Sequence, residues 1–150
     1  MSAIRSVIVL ILLLLLAGCA SVQNDRHRGE RQAAYQAAAG APVASFAFSS
    51  LYSWEPLSET QLVIYTRPTQ AWLLDLFGCQ SLLFSDGIGL TSNLNQVSVN
   101  FDKVLPQRGD VPCTISRIRP VDVKGMRASA ERKRQIRSEP RQPVANGVLH

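Results

Sequence analysis

Gln61–Leu76 reads QLVIYTRPTQAWLLDL. Leu62, Ile64 and Thr66 fall on one side of an extended chain, and Val63 and Tyr65 on the other. The run is rich in β-branched and aromatic residues, which suit a pleated, half-buried surface. Pro68 interrupts it, and AWLLDL resumes the alternation with Trp72, Leu74 and Leu76 on one face. So short a gap predicts an antiparallel hairpin. A lone hairpin is marginal in water, so further strands are needed around it.

The flanks supply them. Upstream, Phe46 and Phe48 alternate with Ser45 and Ala47, and Tyr52 and Trp54 mark a second short run that Pro56 should end. Ser58-Glu59-Thr60 is a turn. Downstream, QVSVNF (96–101) predicts Val97, Val99 and Phe101 inward and Gln96, Ser98 and Asn100 outward. Asp102 then falls outward. CTISRI (113–118) is a further strand, which Pro120 should end. Asp86-Gly87, Asn93-Leu94-Asn95 and Gly109-Asp110 are turn signals. The expected fold is mainly β, α+β at the margin. It is a small antiparallel sheet over residues 44–121, curled or a partial barrel, followed by one C-terminal helix. That basic helix is predicted over 122–138: Val123, Met126 and Ala130 recur at helical spacing, Asp122 is the N-cap, and Pro140 and Pro143 lie beyond. Gly125 weakens it by about 1 kcal/mol relative to Ala. Residues 139–150 read as a disordered tail.

The N-terminus carries an address. Arg5 precedes ten unbroken apolar residues, Val7–Leu16. A membrane-spanning helix needs about 20, so the run fits a secretory signal instead. Leu16-Ala17-Gly18-Cys19 resembles the lipobox of bacterial lipoproteins. The resemblance implies a signal peptide over 1–18, cleavage before Cys19, and acylation of that cysteine, which anchors the chain in the lipid bilayer. An ordinary signal peptide with an incidental cysteine, or an uncleaved anchor, is the alternative. Two or more acyl chains give a stable anchor where one alone is marginal. Ala20 follows the cysteine where enterobacterial lipoproteins kept in the inner membrane carry aspartate. The resemblance therefore implies an outer-membrane lipoprotein facing the periplasm. Residues 19–43 are expected to be a flexible tether, within which Glu30–Ala39 has the composition of a short helix ended by Gly40 and Pro42.

Charge is uneven. Residues 41–120 hold five Lys/Arg and six Asp/Glu, whereas 124–141 hold seven Lys/Arg and two Glu. The formal charge of +5 thus belongs mostly to the C-terminus. A basic segment points to anionic lipid or cell-wall contact, or is merely a solvated tail. Nucleic acid is not an expected partner in the periplasm. With Cys19 assigned to lipid, Cys79 and Cys113 remain, and an oxidising compartment predicts one disulfide between them; two free buried thiols are the alternative. No CxxC motif is present.

The segments YSWEPLSETQLVIYTRPTQAWLLDL, then a cysteine, IGLTS, FDKV and CTISRIRPVDV, in that order, resemble a family of small uncharacterised proteobacterial lipoproteins classed as a domain of unknown function. The resemblance spans roughly residues 42–126 and includes the cysteine pair. It brings no catalytic residue, ligand or cofactor.

Chemistry is sparsely signalled. The two histidines, His27 and His150, lie in the expected tails, so no triad or histidine-based metal site is predicted. No phosphate loop, HExxH or calcium-loop pattern occurs. No catalytic residue, metal ligand or cofactor is assigned. Glu55, Asp75, Asp86, Asp102 and Asp110 could supply an acid–base pair, but carboxylates at such positions are usually turn caps or solvent-facing. Tyr52, Trp54, Tyr65 and Trp72 are candidate stacking platforms for a sugar or peptide, or ordinary core. Arg67 is a candidate anion contact. Arg117 and Arg119, two apart on one strand, share a face and have the geometry of an anion clamp. The ranking is therefore a non-enzymatic accessory or interaction module with an envelope protein partner first. A binding module for an envelope glycan or anionic lipid is second, and a small hydrolase with paired carboxylates third.

Overall fold

The computed structural model describes residues 23–79, 81–107 and 111–138. The signal segment, Cys19 and the expected tail over 139–150 lie outside the described residues. Helix α1 occupies residues 23–38. Strands β1 (Ser45–Ala47), β2 (Ser53–Ser58), β3 (Gln61–Arg67) and β4 (Gln70–Phe77) follow. After a single 3-10 turn at Leu82–Phe84 come β5 (Ile88–Leu90), β6 (Gln96–Ser98), β7 (Lys103–Pro106), β8 (Cys113–Val121) and α2 (Val123–Ser138). Six strands form an antiparallel sheet in the order β2-β3-β4-β8-β7-β5, curled into a half-barrel. β1 and β6 pair separately, with Phe46 opposite Val97.

The expected hairpin is the centre of this sheet. β3 and β4 pair with Ile64 opposite Trp72 and Leu62 opposite Leu74. Period-two alternation gives the strands two apolar faces, and both are covered. On one face Leu62, Ile64, Leu74, Leu76, Ile115 and Ile118 join Phe46 and Val97 from the β1–β6 pair. On the other, Val63, Ala71 and Leu73 join Leu57, Val121, Tyr35 of α1 and Val123 of α2. Each such side chain that is fully buried contributes about 1.5–3 kcal/mol.

A β-bulge keeps β8 in step with both faces. Asp75 pairs with Arg117 but Leu76 pairs with Ile115, leaving Ser116 extra. Ile115 and Ile118, three residues apart, thereby enter the same core. The Ser116 hydroxyl donates to Asp75 O at 2.9 Å and closes the bulge.

Several expectations are corrected. Residues 23–38, read above as part of a flexible tether, are helical and packed. Tyr35 is only 3% exposed, because the sheet face offers Val63 and Leu73 to the one large apolar side chain among the alanines. Pro56 does not end β2, since an edge strand tolerates a missing N–H. Pro120 does not end β8 either; it pairs with Trp72, and its carbonyl accepts from Gly40 N–H at 2.8 Å. β6 stops at Ser98, short of the expected QVSVNF strand. Asn100 adopts a left-handed conformation (φ 63°), so the alternation breaks there. Phe101 is consequently exposed (68%) and Asp102 buried (2%), the reverse of the simple pattern. β5, β7 and the 3-10 turn carry too few residues to show a period in the sequence. α2 runs as expected, with Gly125 N–H donating to the Asp122 carboxylate at 2.9 Å. A Cβ on Gly125 would overlap that carboxylate, so the glycine that weakens the helix also makes room for its cap.

Candidate functional site

The polar side chains of the sheet gather on its helix-covered face. β2 presents Glu55, β3 presents Gln61 and Tyr65, β4 presents Asp75, and β8 presents Arg117 and Arg119. α1 lies over them because its larger residues, Arg31, Gln32, Tyr35 and Gln36, recur at helical spacing among alanines.

Two hydrogen-bonded groups result. In the first, Glu55 is bound by Arg31, through both its Nε and its Nη2 (Nη2 at 2.6 Å), and by the Tyr35 hydroxyl at 2.9 Å. The Tyr35 hydroxyl also meets that of Tyr65 at 2.9 Å. A carboxylate only accepts, so Tyr35 gives it its one proton and Tyr65 must donate to Tyr35. Burial pushes the Tyr35 phenol well above the ordinary tyrosine range, and its bonds to Tyr65 and Glu55 add to the shift. Glu55 raises the pKa of Arg31 by hydrogen bonding, against the opposing effect of burial. In the second group, Gln61 donates to Asp75 at 2.7 Å and accepts from Gln32 at 2.8 Å and Gln36 at 3.0 Å. Arg119 Nη2 donates to both oxygens of Asp75, at 3.1 and 3.3 Å. Arg117 Nη1 lies 3.5 Å from the same carboxylate.

The candidate residues therefore separate. Arg117 and Arg119 do share a face, but the anion between them is the chain's own Asp75. Asp75 is not a solvent-facing carboxylate, because the face opposite Trp72, Leu74 and Leu76 is covered in turn. Asp102 holds a turn, accepting from Thr91 Oγ1 at 2.7 Å and from Ser98 N–H at 2.8 Å. The aromatic set divides across the sheet. Trp54 and Trp72 pack against the first core, where the Trp72 ring stacks on Phe46 (centroids 4.8 Å apart, 19° between planes). Tyr65 faces α1, and Tyr52 stands 61% exposed. Arg67 is exposed beside a shallow depression of about 170 Å³ shared with Phe48, Gln70 and Asn95. Among the described residues Trp72 Nε1 and Arg119 Nε are buried without a hydrogen-bond partner. His27 lies exposed on α1, 3.8 Å from Glu30. Cys79 and Cys113 are disulfide-bonded with Cα atoms 4.9 Å apart, tying the end of β4 to the start of β8.

Tyr35, Arg31 and Gln61 were not singled out from the sequence. The available signal was the spacing of long polar residues around Tyr35 in an otherwise alanine-rich stretch. What the arrangement does chemically is hold α1 against the sheet.

The architecture defines a mainly β protein with a helix-backed half-barrel sheet. The chain belongs to the family described as Family of unknown function (DUF6491), whose model matches residues 2–137. No curated protein and no solved structure matches it.

Proposed function

We propose that this chain is a membrane-anchored cell-envelope lipoprotein of the outer membrane, of proteobacterial type, whose folded domain is a non-enzymatic interaction module. The observation that carries the second half is the engagement of its internal carboxylates. Glu55, Asp75 and Asp102 are each bound by donors of the fold itself. The anchor half rests on the ten-residue apolar run and Cys19. The outermost strands of the six-stranded sheet, β2 and β5, end its strand order, and a sheet edge is a natural docking site for a partner's strand.

The test is in-cell photo-crosslinking from a reactive residue placed at Ser53, exposed on β2, followed by mass spectrometry. The expected result is one recurrent envelope-protein adduct, absent when the reactive residue is moved to exposed Lys124 on α2. Adducts to glycan or lipid alone would favour the binding-module reading instead.

A further inference from the structure

Five phenylalanines occur in the chain. Phe46 and Phe48 pack in or against the first core. The other three, Phe77, Phe84 and Phe101, are 76%, 72% and 68% exposed. All three lie toward the end of the sheet opposite the Arg67–Gln70 turn, where β7 and β5 run on past the row that joins Phe77, Thr114 and Lys103. Leu76 N–H donates to Thr60 O, Leu76 pairs with Ile115, and Asn100 N–H donates to Ile115 O. Thr60, Leu76, Ile115 and Asn100 thus form one row, with Phe77 and Phe101 the next residues of their segments. The Leu82–Phe84 turn joins that end because Leu83 lines a cleft with Leu57, Glu59 and Thr60. Val111, 65% exposed, lies two residues before the disulfide that closes the same end.

The start of α1 lies there too. At its C-terminal end α1 meets the opposite side of the sheet, where Ala39 bridges to Val121 and Tyr35 reaches Tyr65. At its N-terminal end Asp25, Arg28 and Gly29 line the cleft with Ser58–Thr60 and Leu83. The lengths agree: from Tyr35 back to residue 23 a helix rises about 18 Å, and from Tyr65 to Thr60 a strand spans about 17 Å. Four Cα steps separate residue 23 from Cys19, a reach of at most about 15 Å. A lipid on Cys19 would therefore be tethered within that reach of the start of α1, on the side of the sheet that carries the exposed phenylalanines.

We infer that Phe77, Phe84 and Phe101 form an apolar rim that rests in the headgroup–acyl boundary of the bilayer and fixes how the anchored domain stands on the membrane. This inference rests on the lipoprotein reading above. The rim is apolar, not electrostatic: the charges at that end are mixed, with Asp25, Glu59 and Asp86 against Arg26, Arg28 and Lys103. α2 is rooted at the other end, beside Ala38, whose carbonyl accepts from Asp122 N–H. The occupant is thus the lipid bilayer itself, and neutral phosphatidylcholine suffices as its probe. Amphipathic surfaces of this kind sit about 5–10 Å into the boundary.

The test uses the full-length, processed protein in phosphatidylcholine vesicles whose acyl chains carry bromine, a quencher of tryptophan emission. Phe84→Trp and Phe77→Trp place a reporter on the rim. Leu94→Trp places a still more exposed reporter (94%) at the far end, in a turn whose Asn95 shares a depression with Arg67 and Gln70. Relative to the parent, with its own Trp54 and Trp72, the added emission of the two rim variants should be strongly quenched on brominated lipid, because a ring within the headgroup–acyl boundary lies close to the brominated chains. That of Leu94→Trp should not change, and added salt should not alter the result. Intact-mass measurement on the same samples reports acylation of Cys19. Unquenched rim reporters on acylated protein overturn the rim alone. Equal quenching of Leu94→Trp does so as well, as does quenching abolished by salt, which would assign the contact to basic side chains. An unacylated Cys19 overturns the lipoprotein reading and this inference together.

Discussion

One phenol, that of Tyr35, joins α1 to the sheet through Glu55 and Tyr65. Tyr35→Phe keeps the packing but leaves Glu55 and Tyr65 each one partner short, and should cost about 1–2 kcal/mol in urea unfolding. Its raised pKa also has a sign. The native state holds the phenolic proton more tightly than the unfolded chain, which releases it near the ordinary tyrosine value of about 10. The stabilisation is complete below that pH, where both states are protonated, and declines as pH rises above it. The slope is at most about 1.4 kcal/mol per pH unit. Urea midpoints followed through this range should fall more steeply for the parent than for Tyr35→Phe; parallel curves would show that Tyr35 ionises freely in the native state. Asp75 makes a second residue-scale prediction. Asp75→Ala strands Arg119, whose side chain is 18% exposed, and should destabilise by about 2–3 kcal/mol. Asp75→Leu combined with Arg119→Met should recover much of that loss, because the desolvated charge leaves with its partner. A double variant as unstable as Asp75→Ala would mean the pair does more than neutralise itself.

At the scale of elements, α2 is attached by its first turn. Val123 is buried and Met126 packs on the second core, whereas residues 131–138 are exposed throughout. Arg127 adds one bond, donating to Pro68 O at 2.9 Å. Deleting residues 127–150 should therefore leave the thermal midpoint nearly unchanged, as differential scanning calorimetry would show. A sharp fall would make the helix part of the core. The same deletion should weaken binding to anionic vesicles at low salt, since each basic residue near such a surface contributes about 1 kcal/mol; unchanged binding would leave the segment merely solvated. The β8 bulge is the opposite kind of element, small but interior. Were Ser116 drawn into the ladder instead of bulged out, Ile115 and Ile118, three residues apart, would fall on opposite faces, because a slip of one residue inverts a strand.

For the whole molecule, the disulfide ties the end of β4 to the start of β8 across a sequence separation of 34. The chain-entropy estimate for such a loop is about 4 kcal/mol, so a reductant should lower the unfolding midpoint by an amount of that order or less. An unchanged midpoint would show that the sheet needs no staple. Cys19→Ser should leave an unprocessed precursor without lipid; normal cleavage and membrane fractionation of that variant would refute the anchor. The central hairpin, the C-terminal helix and the cysteine pair were legible in the sequence, since each depends on local period, a cap, or counting. The Asp75 clamp, the inward Asp102 and the docked α1 were not. Local alternation cannot tell whether the face opposite a core is open to water, and here two helices close it. It cannot register a bulge or a left-handed Asn100 either, yet each changes which side chains turn inward. Pattern thus determined the strands and their apolar faces. Only tertiary packing decided that the second face is also buried, because covering it takes Tyr35 and Val123, which lie in segments before and after the sheet.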